Sequence, residues 1–270
     1  MAGLSAARLI RDFLDMMAAE RGASANTIAA YRRDLESYDD HLADAGKTPL
    51  DATTDTIRGF LASLAAEGMK SSSAARKLSA VRQFHAFLYG ENRRNDDPSV
   101  IIEGPKRGRS LPKIMTTGEV DRLLAVAREG IDDETRPRAE RRAAARLSAL
   151  LELLYATGLR VSELVSLPAE AVRPGRETLI VRGKGSKERL VVLSPAAIEA
   201  VERYRALRDP ALTGGRERFL FPAEGEAGFL SRQVFARDLK RAAAAAGLAA
   251  DTVSPHVLRH AFASHLLQNG

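Results

Sequence analysis

The chain has 270 residues, enough for one large domain or two ordinary ones whose cores need no disulfide or metal to hold them. It has no cysteine, which excludes disulfides, thiolate metal sites and cysteine nucleophiles; 45% apolar and 28% charged residues place it among folded chains. The net charge of +6 is held unevenly: residues 1–104 carry 13 basic and 15 acidic side chains and residues 105–270 carry 28 and 20, so the excess lies in the second part, where a polyanion is the expected partner.

Residues 1–90 read as four helices. Leu9, Phe13, Met16 and Met17 recur at helical spacing. Asn26 is placed to cap a second helix with the stripe Ile28, Tyr31, Leu35, Tyr38 and Leu42. A third runs over Asp55–Leu64 and closes at Gly68, and Ser71–Ser73 open a fourth with Leu78, Val81, Phe84 and Leu88 as its core stripe. Arg32 and Arg33 on the second helix, with Lys70, Arg76, Lys77 and Arg82 on the fourth, are the candidate cations for a nucleic-acid groove; a solvated helix face is the alternative. No apolar run reaches the ~18–20 residues of a membrane span. Asp12, Asp15 and Glu20 argue against a secretory signal, so a cytoplasmic protein is expected.

Residues 91–113, with three prolines and two glycines, read as a linker. Thr116 and Thr117 open a helix through Arg128, with Glu119 at capping-box distance. Residues 129–140 read as a charged, exposed loop. Arg141–Thr157 is an alanine-rich helix stopped by Gly158, and Val161–Leu167 is a short one. Thr178–Arg182 and Arg189–Leu193 are strands on either side of Gly183-Lys184-Gly185-Ser186-Lys187, a hairpin with a longer turn. A helix from Pro195 to Leu207, a strand Phe219–Phe221 and a helix Ser231–Ala246 follow; Ser254 and Pro255 start the last helix. The expected fold is two domains: an all-α bundle over 1–90, and a mainly α, α+β domain over 114–270 with a small antiparallel sheet.

Three features carry chemistry. Arg160 stands at a helix start, where backbone amides favour an anion, unless Glu163 neutralises it. Lys184 sits in a glycine-rich turn that lacks the spacing of a nucleotide-binding P-loop. His256 and Arg259 are three apart and share a helix face. His260 lies four beyond His256, a zinc spacing. Arg259 would set a fixed cation beside such a metal, however, and no third ligand is evident, so no metal is expected. Two arginines, a lysine and a histidine suit a phosphoryl transition state. Arginines bind the non-bridging oxygens, a lysine can protonate a leaving oxygen and histidine can move a proton.

The stretches Asn26-Thr27, Tyr31-Arg32-Arg33-Asp34-Leu35, Leu78-Ser79-Ala80-Val81-Arg82, Tyr155 to Leu164, Gly183 to Leu190 and Ser254 to Leu267 resemble the tyrosine recombinase (phage integrase-type) family, in its bacterial Xer branch. The resemblance implies a SAM-like core-binding domain and a catalytic domain that clamp DNA. It makes Arg160 the first catalytic arginine, Lys184 the general acid towards the 5′ oxygen, and His256 and Arg259 the HxxR pair. The implied reaction is strand cleavage by a tyrosine, leaving a 3′-phosphotyrosyl bond and a 5′ hydroxyl, with rejoining by a partner strand and no cofactor. The implied partners are a double-stranded recombination site, a XerC-like recombinase in a heterotetramer on that DNA, and an FtsK-like translocase. The setting is chromosome-dimer resolution in a nucleoid-associated, cytoplasmic protein, expected as a monomer off DNA.

The family continues with a Leu-Gly-His motif and the tyrosine nucleophile. Here the sequence stops at Gly270, and none of Tyr31, Tyr38, Tyr89, Tyr155 and Tyr204 follows Arg259. A truncated form that binds DNA without cleaving it is therefore expected, with no nucleophile assigned. The alternatives are a non-catalytic, architectural DNA-binding protein and an integrase or transposon recombinase with another target.

Overall fold

The computed structural model describes residues 5–105, 114–173, 175–182, 188–208 and 216–268, which fall in two units, Met1–Ser110 and Leu111–Gly270. In the first unit, hydroxyl side chains set three of the four helix starts. Ser5 caps α1 (Ala6–Ala19), Ser24 caps α2 (Ala25–Asp44), and Thr53 forms a capping box with Thr56 at α3 (Thr54–Ala66). The cap of α2 is Ser24, not Asn26, because Ser24 Oγ accepts the Thr27 N–H at 3.3 Å. α4 (Ser71–Gly90) starts after Lys70 with no side-chain cap. The stripes meet in one core, where Phe13, Leu35, Phe60, Val81 and Phe84 are sealed from solvent. The first part of the stretch read as a linker packs on this unit. Arg94 is buried and donates to the carbonyls of Pro49 (2.7 Å) and Ala52 (2.8 Å), Thr54 Oγ1 donates to the Pro98 carbonyl (2.8 Å), and Arg82 donates to the carbonyl of Ile102.

Two polar pairs lie inside this bundle. Arg76 is ion-paired with the buried carboxylate of Asp34. His85 is fully buried and its Nε2 lies 2.9 Å from Tyr38 Oη. Burial, then the charge of Arg94, holds the imidazole pKa at about 4 against the opposing pull of Asp97 and Asp96. Above pH ~6.5 the ring is neutral in both folded and unfolded chains and adds no pH dependence. Between pH 6.5 and 4 the unfolded chain takes up a proton that the folded one refuses, so stability falls by roughly 3 kcal/mol in all across that window. Urea unfolding followed by tyrosine fluorescence at pH 7 and pH 4.5 should show this loss, and His85→Leu should flatten it. An unchanged slope in His85→Leu would place the acid sensitivity elsewhere.

The second unit is built on α6 (Arg138–Thr157), whose Ala145, Ala149, Leu150, Leu151, Leu153 and Leu154 are buried. It packs against α5 (Thr117–Arg128), α8 (Pro195–Leu207) and α10 (Pro255–Gln268). α5 has the expected box, with Thr116 and Glu119 bonded to each other's backbone N–H. α6 begins three residues before the expected Arg141. The loop before it is anchored near its start, by buried Ile131, whose carbonyl accepts from Arg141 (2.8 Å), and by an Asp132–Arg203 ion pair (3.0 Å). α7 (Val161–Val165) follows Gly158 closely. β1 (Thr178–Arg182) and β2 (Glu188–Val192) form an antiparallel ladder with Ile180 opposite Leu190. The turn Gly183–Lys187 lies outside the described residues. The run Phe219–Phe221 is not a strand. It makes one bridge from Phe219 to Pro168 and bonds from Leu220 N to Leu167 O (2.8 Å) and Leu230 N to Phe221 O (2.9 Å), too few for a ladder. α9 (Arg232–Ala245) completes the unit. Among the described residues no helix is long and apolar enough to cross a membrane.

Candidate active site

The site begins where α6 stops. Gly158 takes the left-handed conformation (φ 58°) and its N–H closes on the Leu154 carbonyl at 2.9 Å. A β-carbon there would lie 2.5 Å from Cδ1 of Phe262, so the α10 ring fills the space that only glycine leaves. Leu159 is then buried and Arg160 turns outward as the N-cap of α7. The same turn therefore fixes Arg160 and touches the helix that carries His256 and Arg259.

Glu163 gathers this turn together. Its carboxylate, with the side chain 10% exposed, accepts the Arg160 backbone N–H at 2.8 Å and Arg160 Nη1 at 2.9 Å. It also accepts Arg189 Nη1 at 3.2 Å and Nη2 at 2.7 Å from β2. Burial pushes its pKa up, but the bonds from Arg189 and then from Arg160 outweigh that and hold it at about 2. The ion pair anticipated between Arg160 and Glu163 thus forms, yet the single carboxylate faces two guanidinium groups, and Arg160 keeps about half of its side chain exposed.

Arg259 makes a third. Burial, then the charges of Arg160 and Arg189, push its pKa down, while Glu163 pulls it up. Its Nη1 is buried and has no hydrogen-bond partner. An unmade bond of this kind costs about 1–3 kcal/mol, and an anionic oxygen would relieve it. His256 is exposed on α10, with its Nε2 at 2.9 Å from Nε2 of His260, so one proton lies between the two rings. Arg160 and Arg259 are thus brought into one electrostatic neighbourhood and His256 shares the helix of Arg259. Lys184 lies outside the described residues, in the turn joining β1 to β2.

The groove-facing candidates are placed differently from one another. Arg32, Arg33 and Lys70 are exposed. Arg76 is committed to Asp34, Arg82 to the Ile102 carbonyl, and Lys77 lies over the Phe60 ring at 5.9 Å. A further basic face lies on α9, where Arg232, Arg237, Lys240 and Arg241 are exposed opposite buried Phe235 and Leu239. Its helical period is present in the sequence, but interruption by alanine and Asp238 masks the stripe.

The tyrosines are all occupied elsewhere or distant in sequence from the cluster. Tyr31 accepts from Gln83 (2.7 Å), Tyr38 is bonded to His85, and Tyr89 lies in the last turn of α4. Tyr204 is buried against Phe221. Tyr155 lies 2.9 Å from His265 Nδ1, and burial, then the charge of Asp121, raises its pKa, the reverse of what activates a nucleophile.

Comparison with known proteins adds the following. The phage integrase family model matches residues 113–270, and the model of the phage integrase N-terminal SAM-like domain matches residues 10–92. The tyrosine recombinase XerD of Bradyrhizobium diazoefficiens is 52% identical over 271 residues, covering 98% of this chain and 85% of the relative. That of Brucella suis biovar 1 is 53% identical over 267 residues (99% and 86%), and that of Caulobacter vibrioides 45% over 260 residues (96% and 82%). Two solved structures share the fold at low identity. They are a XerH site-specific recombinase bound to palindromic difH substrate after cleavage (TM-score 0.71, 20% identity, 98% of this chain and 74% of that one) and a lambda integrase tetramer on a Holliday junction (TM-score 0.71, 18% identity, 99% and 74%).

Proposed function

Because the chain belongs to the phage integrase family and is a Xer-type tyrosine site-specific recombinase, we propose that Arg160, Lys184, His256 and Arg259 are the groups that handle its scissile phosphate. The observation that carries this reading is the buried, unpartnered Nη1 of Arg259 beside the Arg160 turn. Two guanidinium groups there bind the two non-bridging oxygens, whose charge grows in the pentacoordinate transition state. Lys184 serves the bridging 5′ oxygen, as acid in cleavage and as base in rejoining. His256 exchanges its bond with His260 for one to the phosphate or to the aryl oxygen. The energy of the broken phosphodiester stays in the covalent intermediate.

The partner is a double-stranded recombination site. On the same reading a XerC-like recombinase completes a heterotetramer on that DNA, an FtsK-like translocase activates it, and the protein works at the nucleoid. No tyrosine among the five is assigned as nucleophile. Residues 1–270 are proposed to bind DNA without forming an SDS-resistant adduct; an adduct mapped to one of those tyrosines contradicts the assignment.

The reading has a test that needs no tyrosine from the protein. A duplex selected from random sequence for binding this chain is nicked to carry a 3′-(p-nitrophenyl phosphate) facing a 5′ hydroxyl. The 5′ oxygen attacks phosphorus, the aryl–oxygen bond to phosphorus breaks, p-nitrophenolate leaves and the strand is joined. Residues 1–270 should accelerate this joining, and Lys184→Ala should slow it. An absence of acceleration on saturated DNA would overturn the reading and favour a purely architectural DNA-binding role.

Affinity itself should fall steeply with salt. Arg32→Ala and Lys70→Ala, measured by fluorescence anisotropy between 50 and 200 mM salt, should each flatten the slope of log K against log salt by ~0.9 if each side chain meets one phosphate. Arg76→Ala should act otherwise. It leaves the buried Asp34 carboxylate without its ion-pair partner, with only the more distant charges of Lys77 and Arg33, and with Arg76 itself half exposed it should lower stability by about 1–3 kcal/mol. A flatter salt slope with unchanged stability would make Arg76 a DNA contact instead.

A further inference from the structure

Glu163 holds two arginines, and only one of them has a place in the reaction. Arg189 lies on β2 opposite buried Val181 on β1, and β2 is the strand that leaves the turn containing Lys184. Both of its terminal nitrogens are spent on Glu163, at 3.2 and 2.7 Å, in the forked geometry that carboxylates and guanidinium groups share. The same two carboxylate oxygens receive the backbone and side chain of Arg160. One carboxylate thus ties the base of the lysine hairpin to the arginine turn.

Without Arg189 the carboxylate keeps its bonds to Arg160, but the hairpin loses this tie to α7. That change touches no substrate directly. We propose that Arg189 is a positioning residue, setting the Lys184 hairpin against the Arg160 turn through Glu163. This rests on the strand-transfer reading above. A lysine cannot replace it fully, because an ammonium is a single point of charge and cannot span both oxygens.

The single-turnover rate of strand joining tests this. Arg189→Gln should lose about 10²-fold in rate, as expected for reacting groups displaced by about an ångström, with DNA affinity within about twofold of the unmodified chain. Arg189→Lys should fall between the two. The Arg189→Gln loss should shrink at least about tenfold when measured in a Lys184→Ala background, because a group acting through Lys184 has less to act on once that lysine is gone. Equal losses in both backgrounds would make Arg189 merely structural, and an affinity loss matching the rate loss would make it a phosphate contact; either overturns the proposal. Should Arg189→Gln fail to fold, Arg189→Lys carries the same comparison. Failure of the unmodified chain to join strands at all counts against the reaction itself, not against Arg189.

Discussion

Arg259→Ala is expected to slow strand joining by about 10²–10³-fold, the loss found when one preorganised donor to a developing oxyanion is removed. DNA affinity should change far less, because phosphates all along the duplex share the electrostatic attraction while the transition state depends on this one. Arg160→Ala should show a similar loss. The two differ in their side effects. Arg259→Ala removes a donor that is buried and unpartnered before any DNA arrives, so the free protein should be no less stable and could gain up to about 1–3 kcal/mol. Arg160→Ala strips Glu163 of one side-chain partner but leaves Arg189 forked onto it, so folding should survive. Joining rates, anisotropy and urea unfolding of the two variants check this. Joining at the unmodified rate by Arg259→Ala would remove the main support for its role.

Gly158→Ala is expected to lower the stability of the second unit by roughly 2–4 kcal/mol, from a left-handed backbone that alanine resists and a methyl group pressed into the ring of Phe262. The effect should not stop at stability. Phe262 stands three residues after Arg259 on α10, and Gly158 two before Arg160, so moving the ring apart from the turn shifts both arginines. Joining should fall with stability, by more than the unfolded fraction explains. The double variant Gly158→Ala with Phe262→Leu removes the ring clash and keeps the backbone strain, so it should recover part of both losses. Recovery of neither would show that the ring contact is immaterial.

Helix starts were the most legible part of this chain. Thr116 with Glu119 and Ser254 with Pro255 read correctly because a cap is a local contact, made within three or four residues. Asn26 is not the α2 cap: Ser24 and Asn26 are both capping residues two positions apart, and only the backbone decides between them. Phe219–Phe221 looked like a strand from its composition, but three residues bridging to Pro168 cannot make one. At the candidate site, residue type and local spacing, together with the family resemblance, point to Arg160, Lys184, His256 and Arg259. In the sequence Glu163 reads only as a neutraliser of its near neighbour Arg160. Its second partner lies 26 residues away on another element, a contact that no local pattern encodes. The unpartnered nitrogen of Arg259 is invisible to sequence for the same reason, since it depends on what surrounds α10 in space.

The most direct measurement compares joining from the p-nitrophenyl phosphate with joining from the matching methylphosphonate, in which one non-bridging oxygen is replaced by a neutral methyl group. If Arg160 and Arg259 act on the charge of those oxygens, each Ala variant should lose about 10²–10³-fold on the phosphate. On at least one diastereomer of the methylphosphonate, each should come within about tenfold of the unmodified chain, since the charge its guanidinium served is gone. An equal loss on the phosphate and on both methylphosphonates would mean that the arginines do not bind the scissile phosphate, and would contradict the site described here.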